Sequence, residues 1–119
     1  MVFEVKNYAA MREAIESLCR FLSEQCVPSE SVFDSKLVAS ELVGNVLRHS
    51  QGTATLCGEI KDGFVELHVL SDVTFIPPII SQKAEVYAEQ GRGLFLVDSV
   101  CHERKTSEEG GIFVRIKIR

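Results

Sequence analysis

Apolar and polar residues alternate along this chain with two different periods, and the switches between them mark out the elements. Met1, Phe3 and Val5 alternate with Val2, Glu4 and Lys6, the two-residue period of a short strand. Asn7 then offers a side-chain oxygen to cap a helix. Ala10, Ala14, Ile15, Leu18, Cys19, Phe21 and Leu22 recur at helical spacing as far as about Gln25, with Arg12, Glu13, Glu16 and Glu24 on the other side. Pro28 and Ser29 break the pattern and start a second helix. Its apolar run extends from about Val32 to Leu47, and Ser50-Gln51-Gly52 provides a glycine where it ends.

The period then returns to two. Ala54, Leu56, Gly58 and Ile60 alternate with Thr53, Thr55, Cys57 and Glu59, and Val65, Leu67 and Val69 alternate with Glu66 and His68. Asp62-Gly63 between the runs is the chemistry of a tight hairpin turn. On this alternation His68 points outward to solvent. Residues 73–90 lack either period, and Pro77-Pro78 forbids a continuing central strand. Irregular segments of this length in compact domains are often lids or binding loops. A short helix is expected from Leu94 to Val100, a strand over about Cys101 to Thr106, and a turn at Glu108-Glu109-Gly110-Gly111. The last strand sets Ile112, Val114, Ile116 and Ile118 against Phe113, Arg115, Lys117 and Arg119, one buried face and one basic, wet face. Helices and antiparallel hairpins in this order predict one α/β domain over residues 1–119. Its architecture is a two-layer sandwich, with helices on one face of a mixed, mostly antiparallel sheet.

Composition narrows the function classes. A chain of 119 residues with 45% apolar and 25% charged residues is an ordinary globular domain with a single core. The net charge of −4 argues against direct nucleic-acid binding. No apolar run is long enough to span a bilayer, and the start Met1-Val2-Phe3-Glu4 lacks the pattern of a signal peptide. Cys19, Cys26, Cys57 and Cys101 show no metal-ligand spacing and read as reduced thiols of a cytoplasmic protein.

Two stretches carry candidate chemistry. In Glu41-Leu42-Val43-Gly44-Asn45-Val46-Leu47-Arg48-His49, helical spacing puts Glu41, Asn45 and His49 on one face beside the apolar stripe. A carboxylate and an amide one turn apart form either a surface pair or the wall of a site. In Gly91-Arg92-Gly93-Leu94-Phe95-Leu96-Val97, two glycines precede a helix start, an arrangement that suits close approach of an anion.

Taken together, these stretches resemble the two boxes of the GHKL (histidine kinase-like) ATPase superfamily, and most closely its branch of anti-sigma factor serine kinases. Glu-Leu-Val-x-Asn-x-x-x-His resembles the N box, and Gly-Arg-Gly-Leu-Phe-Leu-Val the second glycine box. The resemblance implies the histidine kinase-like ATPase fold, with ATP and Mg2+ as cofactors. It further implies Asn45 as the magnesium ligand, Glu41 as general base, His49 as a residue of the same box, and Gly91, Arg92, Gly93 and Leu94 around the phosphates. It implies Asp72 as the residue that reads adenine. The partners implied are a sigma factor and a small antagonist protein phosphorylated on serine, with a homodimer possible in this class. The first glycine box departs from the pattern: where the family has glycines after Asp72, this chain has Thr74 and Ile76. β-Branched residues there tolerate neither close backbone approach nor positive φ. The threonine expected after the last glycine turn is also missing, because Ile112-Phe113 follows Gly110-Gly111. Weak ATP binding, or none, is therefore expected. The alternative function is a protein-interaction module of the same fold that has lost nucleotide binding.

Overall fold

The computed structural model describes residues 1–49, 53–71, 97–106 and 111–118, with His49 described in its backbone alone. Strand β1 (Val2–Val5) leads into helices α1 (Tyr8–Glu24) and α2 (Ser29–His49). Then come β2 (Ala54–Lys61), β3 (Phe64–Ser71), β4 (Glu103–Thr106) and β5 (Ile112–Lys117), with residues 97–100 helical ahead of β4. The two helices pack on one face of a five-stranded sheet ordered β1-β2-β3-β5-β4.

Local chemistry sets the boundaries. Asn7 Oδ1 accepts a hydrogen bond from the Ala10 amide at 2.8 Å, the cap expected from the sequence. The other end of α1 closes without glycine. Cys26 takes a left-handed φ of 64°, its amide donates to the Ser23 carbonyl, and the Val27 amide donates to Leu22. This double return bond is the usual glycine-terminated helix end, and Val27, buried like Leu22, supplies its apolar contact. Asp62 and Gly63 both have positive φ, 53° and 80°, so the two-residue turn twists with its strands as the Asp-Gly pair predicts.

The sheet is not mixed. All four strand pairings among the described residues are antiparallel. The reason lies in the connection from β1 to β2. A single crossover helix would return the chain for a parallel strand. A pair of helices reverses it once more, so β2 runs against β1. β5 also inserts between β3 and β4, leaving β4 as an edge.

One sheet face forms the core. Val5, Ala54, Leu56, Val65, Leu67, Val69, Val114 and Ile116 meet Leu18 and Leu22 from α1 and Val38, Leu42 and Val43 from α2, with Val97 buried among them. Burying one such aliphatic side chain contributes about 1.5–3 kcal/mol. Gly58 lets α1 approach: a β-carbon there would meet Leu18 Cδ1 at 3.1 Å and Leu67 Cδ2 at 3.4 Å. The start of α2 is pinned to the far strand, where Ser31 Oγ donates to the Lys117 carbonyl at 3.1 Å.

The opposite face departs from expectation. The basic, wet face predicted for the last strand holds at Lys117, which is exposed, but Phe113 and Arg115 are half-buried, and Arg115 keeps only 25% of its side chain exposed. Its guanidinium lies 4.0 Å from the Phe64 ring centroid and its Nε 3.1 Å from Glu66 Oε2. His68 does lie on this face, but it is half-buried rather than solvent-facing, with its ring edge-on to Phe113 at 6.2 Å. Cross-strand aromatic and cationic neighbours shield one another here, which alternation along a single strand does not reveal.

Candidate functional site

The site is built on the last two turns of α2. Buried Ser31, Ser35, Val38, Leu42 and Val43 aim one stripe of this helix at the sheet, and Glu41 and Asn45 lie along its edge, half-buried. Their position follows from helical spacing: residues four apart share a face, and this face borders the buried stripe without being part of it.

Asn45 is the best-defined member. Its Oδ1 accepts a hydrogen bond from Arg48 Nη2 at 2.6 Å. Its Nδ2 is buried and has no hydrogen-bond partner among the described residues. A buried amide nitrogen with an unmade bond is costly, by about 1–3 kcal/mol, and such groups occur where structure serves something besides stability. Glu41, one turn earlier, makes no hydrogen bond or ion pair among the described residues, so its carboxylate is available to a ligand.

Arg48 was not singled out from the sequence, although its spacing of three from Asn45 signals the contact. Gly44 makes room for it. A β-carbon at residue 44 would stand 3.2 Å from Arg48 Nη1, so the glycine lets the arginine fold back along its own helix onto Asn45. Together, Glu41, Asn45 and Arg48 offer a carboxylate, a hard amide oxygen and a guanidinium. This set suits a hydrated magnesium ion and the phosphate it accompanies.

The remaining residues expected at the site fall outside the described residues: Asp72, Thr74 and Ile76 of the adenine side, Gly91, Arg92, Gly93 and Leu94 of the glycine box, and the His49 side chain. Near the glycine box, the described residues begin at Val97, which is fully buried and anchors helical residues 97–100 in the core. Asp98 on this segment holds Arg104 of β4 through two hydrogen bonds, 2.6 and 3.0 Å. Burial, reinforced by the Asp98 charge, pushes the neighbouring Cys101 thiol up to about 12. Cys19 is also raised, chiefly by burial. All four cysteines are free, and these two are protonated packing groups, not nucleophiles.

No protein-family model matches this chain, and no curated protein matches it. Among the described residues, no helix is long and apolar enough to cross a membrane.

Proposed function

We propose that the chain is an ATP-binding regulator resembling an anti-sigma factor serine kinase, with the histidine kinase-like ATPase fold. It would capture a sigma factor and phosphorylate a serine of an antagonist protein. The observation that carries this reading is the edge of α2, where Glu41 and Asn45 are half-buried one turn apart and Asn45 is oriented by Arg48 at 2.6 Å. The two helices against one face of an antiparallel sheet are compatible with it.

The residues present fit the cofactors. Asn45 Oδ1 would hold Mg2+, whose other positions are filled by water and phosphate oxygens, and the ion would neutralise phosphate charge. Glu41 takes the proton of the attacking serine hydroxyl. Arg48 donates to Asn45 Oδ1 in this structure, so it would have to leave that oxygen for the ion to bind, and its guanidinium could then pair with a phosphate.

A second reading rests on a specific observation, the replacement of the first-box glycines by Thr74 and Ile76. On that reading the chain is a nucleotide-binding-deficient module that acts through partner capture alone. Calorimetric titration with Mg-ATP separates the two. The kinase reading predicts saturable binding that weakens in Asn45→Ala, while Glu41→Ala still binds but no longer transfers phosphate. Absence of binding in the parent, with binding restored by Thr74→Gly and Ile76→Gly together, supports the module. If both α2 variants bind and act like the parent, the assignment of Glu41 and Asn45 is wrong.

A further inference from the structure

The open face of the sheet carries a cleft, on the side away from α1 and α2. It encloses about 240 Å³ and is bordered by Val2, Cys57, Glu59, Glu66, His68 and Phe113. Strand register explains the grouping. Cys57 faces His68, Glu59 faces Glu66 in the next same-face pair, and Phe113 faces His68 from β5.

Three features of this cleft favour a cation. Like charges directly opposite across a strand pair destabilise a sheet, yet Glu59 and Glu66 stand in this relation. Arg115 offsets Glu66, and the Met1 ammonium is bonded to the Gly58 carbonyl at 3.0 Å. Glu59 remains without an ion pair among the described residues. His68 Nε2, on the same wall, is buried and has no hydrogen-bond partner among the described residues. With the ring proton on Nδ1, the tautomer that an arriving N–H donor would select, this nitrogen accepts a hydrogen bond. Finally, the wall includes aromatic and aliphatic surface, with Val2 68% exposed at the rim.

The molecule already shows what satisfies such a surface. Arg115 lies over Phe64 with Glu66 beside it, a guanidinium on an aromatic face next to a carboxylate. The cleft sets out the same components, Phe113 with Glu59 and Glu66, without an arginine of its own. From the β4 side Lys105 covers the Phe113 ring at 5.2 Å, leaving the His68 side to the cleft. Its volume falls below the roughly 300–1,000 Å³ of small-molecule pockets, which matches one long side chain. Arginine is favoured over lysine because a planar, weakly hydrated guanidinium can bridge two carboxylates and stack on a ring.

We propose that this cleft is a docking site for an arginine side chain presented by a protein partner. The site lies on the sheet face opposite α2, so it goes beyond the function proposed above and does not depend on nucleotide binding.

Titration of the full chain with N-acetyl-arginine amide, followed by amide and imidazole NMR shifts, tests this. Saturable shifts are expected at Cys57, Glu59, Glu66, His68 and Phe113, and none with the neutral isostere N-acetyl-citrulline amide. Glu59→Gln should weaken binding about tenfold, the scale of one charge-assisted hydrogen bond. Arg115→Met, which removes the internal competitor for Glu66, should strengthen it severalfold. Unchanged shifts at Leu56 and Leu67 establish that each variant remains folded. Equal response to the citrulline compound, shifts centred elsewhere, or no saturable response overturns the proposal. Failure here leaves the Mg-ATP result untouched, and failure there leaves this one untouched.

Discussion

The two faces of the sheet come from the same strands and differ by one residue of register, yet they are different materials. The face under α1 and α2 is aliphatic and almost completely buried, with Leu56, Leu67, Val65 and Ile116 at 1% exposure or less. The open face is half-buried and built of pairs: Arg115 with Phe64 and Glu66, Lys105 with Phe113, Phe113 with His68. On the first face, stability comes from excluding water, and any side chain of suitable shape contributes. On the second, each charged or aromatic group depends on a specific neighbour. Glu59 and Glu66 are register partners across β2 and β3, and Arg115 pairs with Glu66 alone. The first face makes the fold, and the second is where recognition can be written without disturbing it.

The covered side should show the largest contrast in chemistry. Cys101 packs against the core with its thiol raised to about 12. Its alkylation at mildly alkaline pH should lag an ordinary exposed thiol by roughly two orders of magnitude or more. The raised value also fixes a sign. Cys101 contributes its full stability below the ordinary 9.0 and loses it as pH climbs towards 12. Denaturation midpoints followed through that range in the parent and in Cys101→Ala should converge, and a constant difference between them would show the thiol stays exposed.

Next in size is packing. Leu67→Ala, on the covered face, should cost about 2–5 kcal/mol by chemical denaturation. Leu70→Ala, three residues on and on the open face, should cost only about 1 kcal/mol. Similar losses for the two would abolish the distinction between the faces. Glu66→Gln leaves the half-buried Arg115 guanidinium without its ion pair and should cost about 1–3 kcal/mol, less than Leu67→Ala.

Smaller effects sharpen the contrast. Gly58→Ala should cost about 1 kcal/mol, because its β-carbon would crowd Leu18 Cδ1 at 3.1 Å, which must give way by a few tenths of an ångström. Smallest is Cys26→Gly. Relief of the left-handed backbone at φ 64° is partly offset by the greater freedom of glycine in the unfolded chain, so a gain of about 0.5–1 kcal/mol is expected. A loss in thermal melting would mean that the Cys26 side chain is itself stabilising.

Much of this architecture was legible in the residue pattern because it depends on near neighbours. The cap at Asn7, the turn at Asp62-Gly63, the hairpin from Thr53 to Ser71 and the inward set of the last strand follow from local dihedral preference and from alternation. So does the common face of Glu41 and Asn45. What stayed hidden required contacts between segments distant in sequence. Both helices between β1 and β2 were legible, but nothing local tells that β2 returns to pair with β1, so the sheet was expected to be mixed and is antiparallel among the described residues. Nothing in Ile112 to Lys117 tells that β5 enters between β3 and β4. That insertion puts Arg115 over Phe64 and Phe113 against His68, so these two are half-buried on a face expected to be wet, while Lys117 stays exposed.

At the site the division runs the same way. The order Glu41, Asn45, Arg48 within one helix is a property of the sequence, because helical geometry places residues three and four apart side by side wherever the helix goes. Which edge of α2 is left half-buried, and so which polar groups border the core with an unmade hydrogen bond, was decided only when the sheet covered the stripe from Ser31 to Val43. Local geometry is set within a few bonds of each residue. Burial and cross-strand company are set by the whole chain closing on itself.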